Sequence, residues 1–457
     1  MSEALTYNSE HIYYQLRFSL QTSMLIGNGL SSHTDNDVLR NAFGMPFIPG
    51  TTIAGMLREM AGNDADQLFG KALKEDQGNI SSLYVYDAET TLKKVEDVRW
   101  SKRDNVALDQ YKTALDQKKF DYEVIEPDID FIGLIEINKN VPVETKNKAD
   151  ALLRRLAARG CSFGAKKSRG MGRMNVTLKQ ILFDLSKEDE NKRWLDFDPF
   201  DKEGWKEIKL LEGVAPTDCD VMTLKIGLRL KGGISIRVYT TDLEDMDYRT
   251  IRYQKDENAE EKAVLVPGTT WAGAFRARVR EFIPEKELTA LFGTVIEKTK
   301  DQKQPDENAA NANGEKAKKE PTAWRSQISF SETRIERGSF KKITRNAIDR
   351  FSGKTKDTAL YGEETYYGGE GTLTITLPRG EEYSLARQAV GAAIADLHHG
   401  FLSVGGLTSV GRGLFEIREG ELKLNEEPID ISQKDWENML IQKLGSSSEV
   451  KNDDEKT

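Results

Sequence analysis

The sequence predicts an α+β protein of two tandem domains, each with the strand–helix–strand, strand–helix–strand order of a ferredoxin-like fold with long inserted loops. The segment 49–58 returns as 267–276, and both copies share the pattern Pro-Gly-Thr-Thr-x-Ala-Gly-x-x-Arg. Leu-Phe-Gly follows each copy, at 68–70 and at 291–293. A glycine loop comes later in each half. Blocks that recur in the same order indicate an internal duplication.

The glycine loops of the two halves align at one constant spacing of 241 residues, as between Gly164 and Gly405 (405 − 164). The equivalent pairs are Gly164 and Gly405, Ser168 and Ser409, Gly170 and Gly411, and Gly172 and Gly413. A dinucleotide-binding turn runs from strand through glycines to helix, whereas here the helix comes first and the strand follows. We therefore exclude a dinucleotide site.

The order of predicted helices and strands is the same in both halves. The first half is expected to contain a strand at 14–20, a helix at 53–60, strands at 83–86 and 129–137, a helix at 149–159 and a strand at 174–183. The second half is expected to contain a strand at 221–230, a helix at 268–282, a strand at 371–377, a helix at 385–399 and a strand at 414–418. Thr51 or Thr52 is the expected N-cap of the first helix.

These elements predict the domain boundaries. We expect a first domain at 1–185, a linker at 186–220, a second domain at 221–420, and an extension with a disordered tail at 421–457. The low-complexity segment 299–321 has no counterpart in the first half and is expected to be disordered. Four aromatic residues in the linker indicate that it packs against a folded surface.

Composition indicates a cytoplasmic protein. The 457 residues are 38% hydrophobic and 31% charged, without an apolar run that would span a membrane and without a signal peptide at the start. Two cysteines, Cys161 and Cys219, argue against a disulfide framework or a zinc site. The net charge of −9 argues against nucleic acid as a partner, unless basic residues are concentrated locally.

The first glycine loop contains such a concentration. Lys166, Lys167 and Arg169 stand beside closely spaced glycines, and exposed backbone amides next to basic side chains suit contact with phosphate. A tight turn packed against the sheet is the equally weighted alternative. In the second loop only Arg412 is basic, so phosphate contact is expected to be weaker there.

The loop before each Pro-Gly block has an aspartate five residues before an arginine. Asp35 precedes Arg40 as Asp247 precedes Arg252, with one offset of 212 residues (247 − 35). A lone loop aspartate is most often a turn former, but two in register favour a function. Two other aspartates leave the second alignment open: Asp242 and Asp245.

A third recurring block lies in the long inserts between strands, Ala-Leu-Asp at 107–109 and Ala-Ile-Asp at 347–349. Its basic neighbours are Lys102, Arg103, Lys341, Lys342, Arg345 and Arg350. An extended hairpin with these residues could grip nucleic acid, and a solvated charged loop is the equal alternative. Histidines are few: His33 has no counterpart in the other half, and the pair at 398–399 suits a helix C-terminus.

Together these blocks resemble the RAMP superfamily. The repeated block resembles the superfamily's Pro-Gly-Ser-Ser-x-x-Gly-x-x-Arg signature, and 405–413 resembles its glycine loop. The segment 346–353, Asn-Ala-Ile-Asp-Arg-Phe-Ser-Gly, resembles backbone subunits of type III CRISPR effectors. Two such domains in one chain resemble the fused subunits of the type III-D branch. The resemblance implies RRM-like cores with projecting thumbs that assemble along a guide RNA.

The resemblance also implies that the loop before each Pro-Gly block carries an aspartate that cleaves target RNA. The family pattern Asp-x-x-Val-Ile-Arg matches 35–40 well and 247–252 less well, because Thr250 replaces valine. Asp35 and Asp247 are thus the implied catalytic residues, and the implied cofactor is Mg²⁺ or another divalent cation. The implied chemistry is attack of a ribose 2′-hydroxyl on the adjacent phosphate. The implied partners are guide RNA, target RNA and other type III effector subunits.

The matched motifs also assign the residues expected to bind RNA. They are Arg40, Thr51, Thr52, Arg58, Lys166, Lys167, Arg169, Gly170, Arg252, Thr269, Thr270, Arg276, Arg345, Arg350, Gly405, Gly406, Ser409 and Arg412. Two alternatives stay open. The chain could be a non-catalytic RNA-binding scaffold in the same kind of complex, or an endoribonuclease that processes the guide.

Overall fold

The computed structural model describes residues 10–29, 34–71, 80–108, 114–138, 141–198, 205–207, 221–239, 248–253, 263–294, 325–356 and 360–446. The chain divides into two compact units, Met1–Cys219 and Asp220–Thr457, and each is described by itself. Several sequence-based predictions lie outside the described residues: His33, Asp109, Cys219, Asp242, Asp245, Asp247, the insertion 299–321 and the tail from 447. No helix in the described ranges is long and apolar enough to cross a membrane.

The first unit combines an antiparallel sheet with four α-helices in its described residues. Its strands are β1 Glu10–Leu20, β2 Phe47–Ile48, β3 Leu83–Val85, β4 Ala88–Thr90, β5 Trp100–Leu108, β6 Ala114–Ile125, β7 Asp130–Ile137, β8 Cys161–Ser162, β9 Arg173–Asp184 and β10 Lys206–Glu207. Its helices are α1 Gly50–Ala61, α2 Ala65–Phe69, α3 Val143–Arg159 and α4 Glu188–Leu195.

The central strands of this sheet follow the order β9–β1–β7–β4, with β1 antiparallel to both neighbours. This is the strand order of a ferredoxin-like fold. Successive side chains of a strand point to opposite faces, and both faces of β1 are covered. Tyr14 and Phe18 are buried with apolar residues of α1 and α3, such as Leu57 and Leu153.

The opposite face of the sheet is covered by the segment that the sequence assigned to a linker. Trp205 is buried in a cluster with Tyr13 and Phe183, and Phe197 packs against it. The indole N–H of Trp194, in α4, donates a hydrogen bond to the Tyr13 hydroxyl at 2.9 Å. The described residues of 186–207 therefore complete the core of the first unit.

The second unit repeats this plan. Its strands are β11 Val221–Lys231, β12 Gly233–Ile234, β13 Arg237–Tyr239, β14 Tyr248–Thr250, β15 Arg252–Tyr253, β16 Ala263–Val266, β17 Ser329–Phe330, β18 Thr333–Ile335, β19 Ser339–Arg345, β20 Tyr361–Tyr367, β21 Glu370–Pro378, β22 Leu414–Leu424 and β23 Glu427–Pro428. Its helices are α5 Gly268–Val279, α6 Glu285–Phe292, α7 Ser384–His399 and α8 Trp436–Gly445.

The main sheet of the second unit has the order β17–β21–β11–β22–β23. Strand β11 thus lies between β21 and β22, as β1 lies between β7 and β9 in the first unit. Strand β22 crosses residue 420, where the sequence placed a domain boundary. Helix α8 follows, and its Trp436, Leu440 and Leu444 are buried in the same core as Ile394 of α7. The described chain up to residue 446 therefore belongs to the second unit.

Helix α1 begins earlier than predicted. Its first residue is Gly50 after Pro49, and neither Thr51 nor Thr52 caps it with a side chain. Instead Asp87, in the turn between β3 and β4, accepts a hydrogen bond from the Gly50 N–H at 2.7 Å. The N-cap prediction was wrong because the N–H groups of a first helical turn can be satisfied by a distant segment of the chain.

Each unit also has a hairpin in the insert between its sheet strands. In the first unit β5 pairs with β6 in an antiparallel ladder from Trp100 and Ile125 outward. In the second unit β19 pairs with β20 from Ser339 and Tyr367 outward. The basic residues of the third recurring block lie on or beyond these strands.

Candidate nucleic-acid interface

In the first unit the aspartate loop, 34–40, lies along β6 at the base of the hairpin. The Glu123 N–H donates to the Asn36 carbonyl oxygen at 3.1 Å. The Val38 N–H donates to Glu123 Oε2, also at 3.1 Å. Within the loop, the buried Asp37 accepts hydrogen bonds from the amide and the hydroxyl of Thr34. The loop is thus fixed both by its own carboxylate and by the hairpin.

Asp35 is exposed on this loop and forms two reciprocal hydrogen bonds with Asp121 of β6. The Asp35 N–H donates to Asp121 Oδ1, and the Asp121 N–H donates to Asp35 Oδ2, each at 2.9 Å. Lys102 of β5 forms an ion pair with Asp121. Two hydrogen bonds lower the pKa of Asp121: the larger effect comes from Lys102 and the smaller from the Asp35 amide. The Asp121 carboxylate is therefore ionised at neutral pH.

Arg40, at the end of the loop, is bound to the same hairpin. Its Nη2 donates to Glu123 Oε1 at 2.7 Å. Its guanidinium carbon lies 4.1 Å from the centre of the Trp100 ring, at cation–π distance. A charge-assisted hydrogen bond and a stacked ring hold this side chain within the protein, so its predicted contact with RNA is not its principal interaction.

The second unit repeats the Arg40 arrangement with different residues. Arg252 Nε donates to Glu364 Oε1 at 3.2 Å, and the guanidinium carbon lies 4.7 Å from the centre of the Phe340 ring. Glu364 lies 241 residues after Glu123 (364 − 123), the spacing of the glycine loops. The arginine at the end of each aspartate loop therefore pairs with a glutamate on the second hairpin strand.

The two glycine loops share one backbone conformation. Lys166 and Leu407 begin a 3-10 turn with left-handed φ values of 57° and 58°. Gly170 and Gly411 end it with φ values of 77° and 81°. Glycine adopts the left-handed conformation without strain at Gly170 and Gly411, whereas Lys166 and Leu407 adopt it as non-glycine residues. The repeat in sequence is thus a repeat in geometry.

The glycines of these loops permit close approach to the chain's own backbone. A Cβ atom at Gly164 would lie 2.1 Å from the Leu25 carbonyl oxygen, and one at Gly405 would lie 2.8 Å from that of Ser235. The Gly406 N–H donates to the same Ser235 oxygen at 2.8 Å. The alternative that the sequence left open, a tight turn packed against the fold, accounts for these glycines.

Lys166 joins the first glycine loop to the hairpin. Its Nζ lies 4.7 Å from the centre of the Phe120 ring and 4.5 Å from that of Tyr122. Burial, and then the nearby charge of Arg169, lowers the pKa of Lys166. The ammonium group therefore contacts aromatic rings of β6 rather than standing in the solvent.

In the second unit the corresponding junction is ionic. Arg412 is 4% exposed and donates hydrogen bonds to Glu363 and Thr365 of β20. Arg345 pairs with the same Glu363 at 3.2 Å. Arg412 is thus held on partners of its own domain, and its contact with RNA stays a prediction. Its equivalent in the first unit is the buried Met171 (412 − 241).

The RAMP superfamily model matches the chain twice, at residues 17–175 and 254–416, once in each unit. These two regions cover more than half of the 457 residues. The chain belongs to the RAMP superfamily. Its architecture is two tandem RAMP domains of the α+β, ferredoxin-like class, as the sequence predicted.

One solved structure similar to this RAMP chain is the cryo-EM structure of the Type III-B Cmr-beta bound to cognate target RNA. The sequence identity is 16% and the TM-score 0.30, over 38% of this chain and 61% of that chain. The match thus spans less than two thirds of that chain's length, and at this TM-score it carries no functional argument. No curated protein matches the chain.

A hydrogen bond links the two short signatures of each RAMP domain. Arg58 Nη1 donates to the Gly70 carbonyl oxygen at 2.8 Å, and Arg276 Nη1 donates to that of Gly293 at 3.1 Å. These glycines are the last residues of Leu-Phe-Gly and follow the ends of α2 and α6 with positive φ. The arginines expected to bind RNA therefore stabilise a helix terminus in each domain.

The other predicted RNA-binding residues of the RAMP domains remain accessible to different degrees. Thr51, Thr52, Thr269 and Thr270 lie in the first turns of α1 and α5, where helix N–H groups favour an anion. Those in the glycine loops are the half-buried Lys167 and Arg169, the buried Gly170, the half-buried Gly406, and the exposed Gly405 and Ser409. Arg350 is exposed beyond β19, beside a fully exposed Phe351.

Sequence reasoning missed the hairpin residues that contact the aspartate loop or the glycine loop. They are Trp100, Asp121 and Glu123 in the first domain and Phe340, Glu363 and Glu364 in the second. The 241-residue spacing found in the glycine loops also relates Glu123 to Glu364, and extending it through the hairpins would have found this pair. The Asp121 contact carries no such signal, because its equivalent is Gly362 (121 + 241).

Proposed function

We propose that this RAMP chain is a backbone subunit of a type III CRISPR ribonucleoprotein that binds guide RNA and cleaves complementary target RNA. The observation that carries the proposal is the exposed Asp35 carboxylate, fixed where the aspartate loop meets the hairpin of a RAMP domain. Duplication of the RAMP domain and the motif at 346–353 support the type III assignment. The partners would be guide RNA, target RNA and other effector subunits.

The proposed chemistry is a transesterification within the target RNA. The ribose 2′-oxygen forms a bond to the adjacent phosphorus while the bond to the 5′-oxygen of the next nucleotide breaks. The products are a 2′,3′-cyclic phosphate and, once the leaving 5′-oxygen has taken a proton from water, a free 5′-hydroxyl. If the protein holds the nucleotide so that attacking and leaving oxygens are in line, positioning supplies much of the rate. Asp35 would then accept the proton of the 2′-hydroxyl or hold that hydroxyl in place.

The donor set around Asp35 suits a divalent cation that is shared with the RNA. No cluster of three or more metal-ligating side chains lies within the described residues. Mg²⁺ is commonly bound by one or two carboxylates together with phosphate oxygens, which the exposed Asp35 and a bound RNA would provide. When bound, such an ion would supply positive charge at the reacting phosphate. Asp247 would have the corresponding role in the second domain.

One observation favours the scaffold alternative. Asp35 Oδ2 accepts the Asp121 N–H, which is the kind of hydrogen bond that a loop-forming aspartate makes. In that case Asp35 and Asp247 would each hold its own loop on the hairpin of its domain, and another subunit would cut the RNA. This alternative and the proposal differ in the outcome of one substitution, Asp35→Ala.

The deciding experiment uses the full-length chain assembled with its guide RNA and partner subunits. End-labelled complementary RNA and Mg²⁺ are added to complexes with wild type, Asp35→Ala, Asp247→Ala or the double substitution. The proposal expects each single substitution to remove one distinct product and the double to remove both. An unchanged product ladder in the double variant, with target RNA still bound, would establish the scaffold alternative.

A further inference from the structure

The reciprocal bonds between the aspartate loop and β6 give Asp121 a role that the motifs do not assign. We infer that Asp121 is a positioning residue for Asp35, holding the Asp35 backbone and carboxylate in the orientation that cleavage requires. This inference rests on the proposed catalytic function of Asp35.

The geometry constrains Asp35 at two points. Asp121 Oδ1 accepts the Asp35 N–H, and Asp35 Oδ2 accepts the Asp121 N–H, both at 2.9 Å. The first bond fixes the backbone of residue 35, and the second fixes the rotation of its carboxylate. Both acceptors are carboxylates, which make stronger hydrogen bonds than neutral acceptors. Asp35 therefore cannot turn independently of the hairpin.

Asp121 is itself held from its other side. Its Oδ2 forms an ion pair with Lys102, which lies on the neighbouring strand β5. The backbone of Asp121 is part of the hairpin ladder, where it faces Asp104. A residue that is bound on both sides can transmit the position of the hairpin to the residue it holds.

The loop does not need Asp121 in order to stay attached to the hairpin. Glu123 accepts hydrogen bonds from both Val38 and Arg40, and its own N–H donates to Asn36. Those bonds act on residues 36–40, whereas the bonds with Asp121 act on Asp35. The structure thus separates attachment of the loop from orientation of the proposed catalytic side chain.

The second domain supports this separation. There Arg252 and Glu364 repeat the bond between Arg40 and Glu123. At the position equivalent to Asp121, however, stands Gly362, which has no carboxylate. Attachment is therefore common to the two domains, while the carboxylate that accepts the Asp35 amide belongs to the first.

The test compares Asp121→Ala with Asp121→Asn in the full-length chain, assembled with guide RNA and partner subunits. Both variants keep the backbone N–H, but only asparagine keeps an oxygen that can accept the Asp35 N–H. Asp104→Ala is the matched control, because it removes a carboxylate that faces Asp121 and lies near Lys102. Single-turnover cleavage at saturating protein is measured for each product, together with the affinity for target RNA.

We expect Asp121→Ala to slow the cut assigned to Asp35 by about 10- to 100-fold, the range typical of a misplaced catalytic group. Target affinity and the product assigned to the second domain should not change. Asp121→Asn should recover most of the rate, and Asp104→Ala should match wild type. A merely structural residue would instead alter binding or assembly, or slow both cuts together.

Three results would overturn the inference. The first is that Asp121→Ala cleaves at the wild-type rate while Asp35→Ala abolishes the cut assigned to Asp35. That result would leave the proposed function intact. The second is equal slowing by alanine and asparagine, which would point to charge rather than to the hydrogen bond. The third is loss of target binding in Asp121→Ala. If Asp35→Ala itself leaves every product in place, the proposed function fails and this inference falls with it.

Discussion

Arg40 and Glu123 are joined by a 2.7 Å hydrogen bond between a loop and a hairpin that are more than 80 residues apart in sequence. The second domain forms the same bond between Arg252 and Glu364. Since the two domains differ at most other positions of this junction, its retention indicates that attachment of the aspartate loop depends on it. The first role of each arginine is thus to fix the loop.

We predict that Glu123→Ala lowers the free energy of unfolding of the first domain by about 2–3 kcal/mol, because Arg40 and the Val38 N–H both lose their acceptor. Glu364→Ala should lower that of the second domain by about 3–5 kcal/mol, because Glu364 is almost fully buried. Urea unfolding followed by tryptophan fluorescence measures both.

The control for these substitutions is Glu188→Ala. Glu188 pairs with Lys192 on an exposed helix surface, where ion pairs contribute little. It should leave the unfolding midpoint unchanged. If Glu123→Ala were equally neutral while RNA affinity fell, the result would contradict the attachment role of Arg40 and support its predicted contact with RNA.

A second prediction concerns the arginines of the Pro-Gly blocks. Arg58→Ala and Arg276→Ala should each cost about 1 kcal/mol of stability, because each removes one hydrogen bond to the carbonyl of Gly70 or Gly293. Neither should change the salt dependence of RNA binding. Lys167→Ala is the matched comparison, and we expect it to reduce the salt slope by about one without loss of stability, as for a lost phosphate contact.

The opposite pattern would contradict this assignment. If Arg58→Ala reduced the salt slope and left the unfolding midpoint in place, the arginine would be a phosphate contact. Thermal unfolding of the isolated full-length chain and RNA titrations at several salt concentrations distinguish the two roles.

The sequence predicted the fold because duplication doubles each local signal. The Pro-Gly block, Leu-Phe-Gly and the glycine loop each occur twice, so chance matches are excluded and the order of helices and strands can be compared between halves. The same comparison indicated which arginines occur at equivalent positions of both halves, but not which groups they contact. Arg58 and Arg412 were expected to meet RNA, and both bind groups of their own domain.

The contacts that define the site could not be predicted because their partners are distant in sequence and differ between domains. Asp35 meets Asp121 across 86 residues, and Asp87 caps α1 from a turn 37 residues away. The glycine-loop junction is aromatic in one domain, with Lys166 on Phe120, and ionic in the other. The motif determines the backbone conformation of the glycine loop, whereas the surrounding tertiary structure determines which residues its side chains contact.

That difference leads to a third prediction. Glu363→Ala should lower the free energy of unfolding of the second domain by about 3–5 kcal/mol, since it leaves the charge of buried Arg412 without its carboxylate. The double substitution Arg412→Met with Glu363→Tyr copies the first domain, where Met171 and Tyr122 share an apolar cluster. We expect it to recover most of the loss, because apolar packing can replace a buried ion pair.

A double variant as unstable as Glu363→Ala alone would contradict this reasoning and would show that the two junctions are not interchangeable. Urea unfolding of wild type, the single variant and the double variant measures the recovery. Met171→Leu in the first domain is a suitable control, because it conserves apolar volume at the equivalent position and should change stability little.

The last prediction concerns pH. Burial by itself raises the pKa of Glu126, but the charge of Arg103 and hydrogen bonds from Ser101, Arg103 and Ser23 outweigh it, so the pKa lies below its ordinary value of 4.5. The folded state therefore favours the ionised carboxylate. Its contribution to stability is fully present above the unfolded pKa and is lost as pH falls through the folded pKa. We expect the first domain to lose stability progressively as pH falls below about 4.5.

Glu126→Gln tests the assignment. It removes the titrating group and leaves the buried Arg103 without a charged partner, so stability at pH 7 should fall by about 3 kcal/mol. The difference between variant and wild type should then shrink as the pH is lowered, because wild type loses the same ion pair on protonation. Urea unfolding at pH 7, 5, 4 and 3 measures this convergence, with Glu188→Gln as an exposed control. A difference that stayed constant over this range would exclude Glu126 as a source of the acid sensitivity, since a group that titrates in only one of the two proteins must change their relative stability.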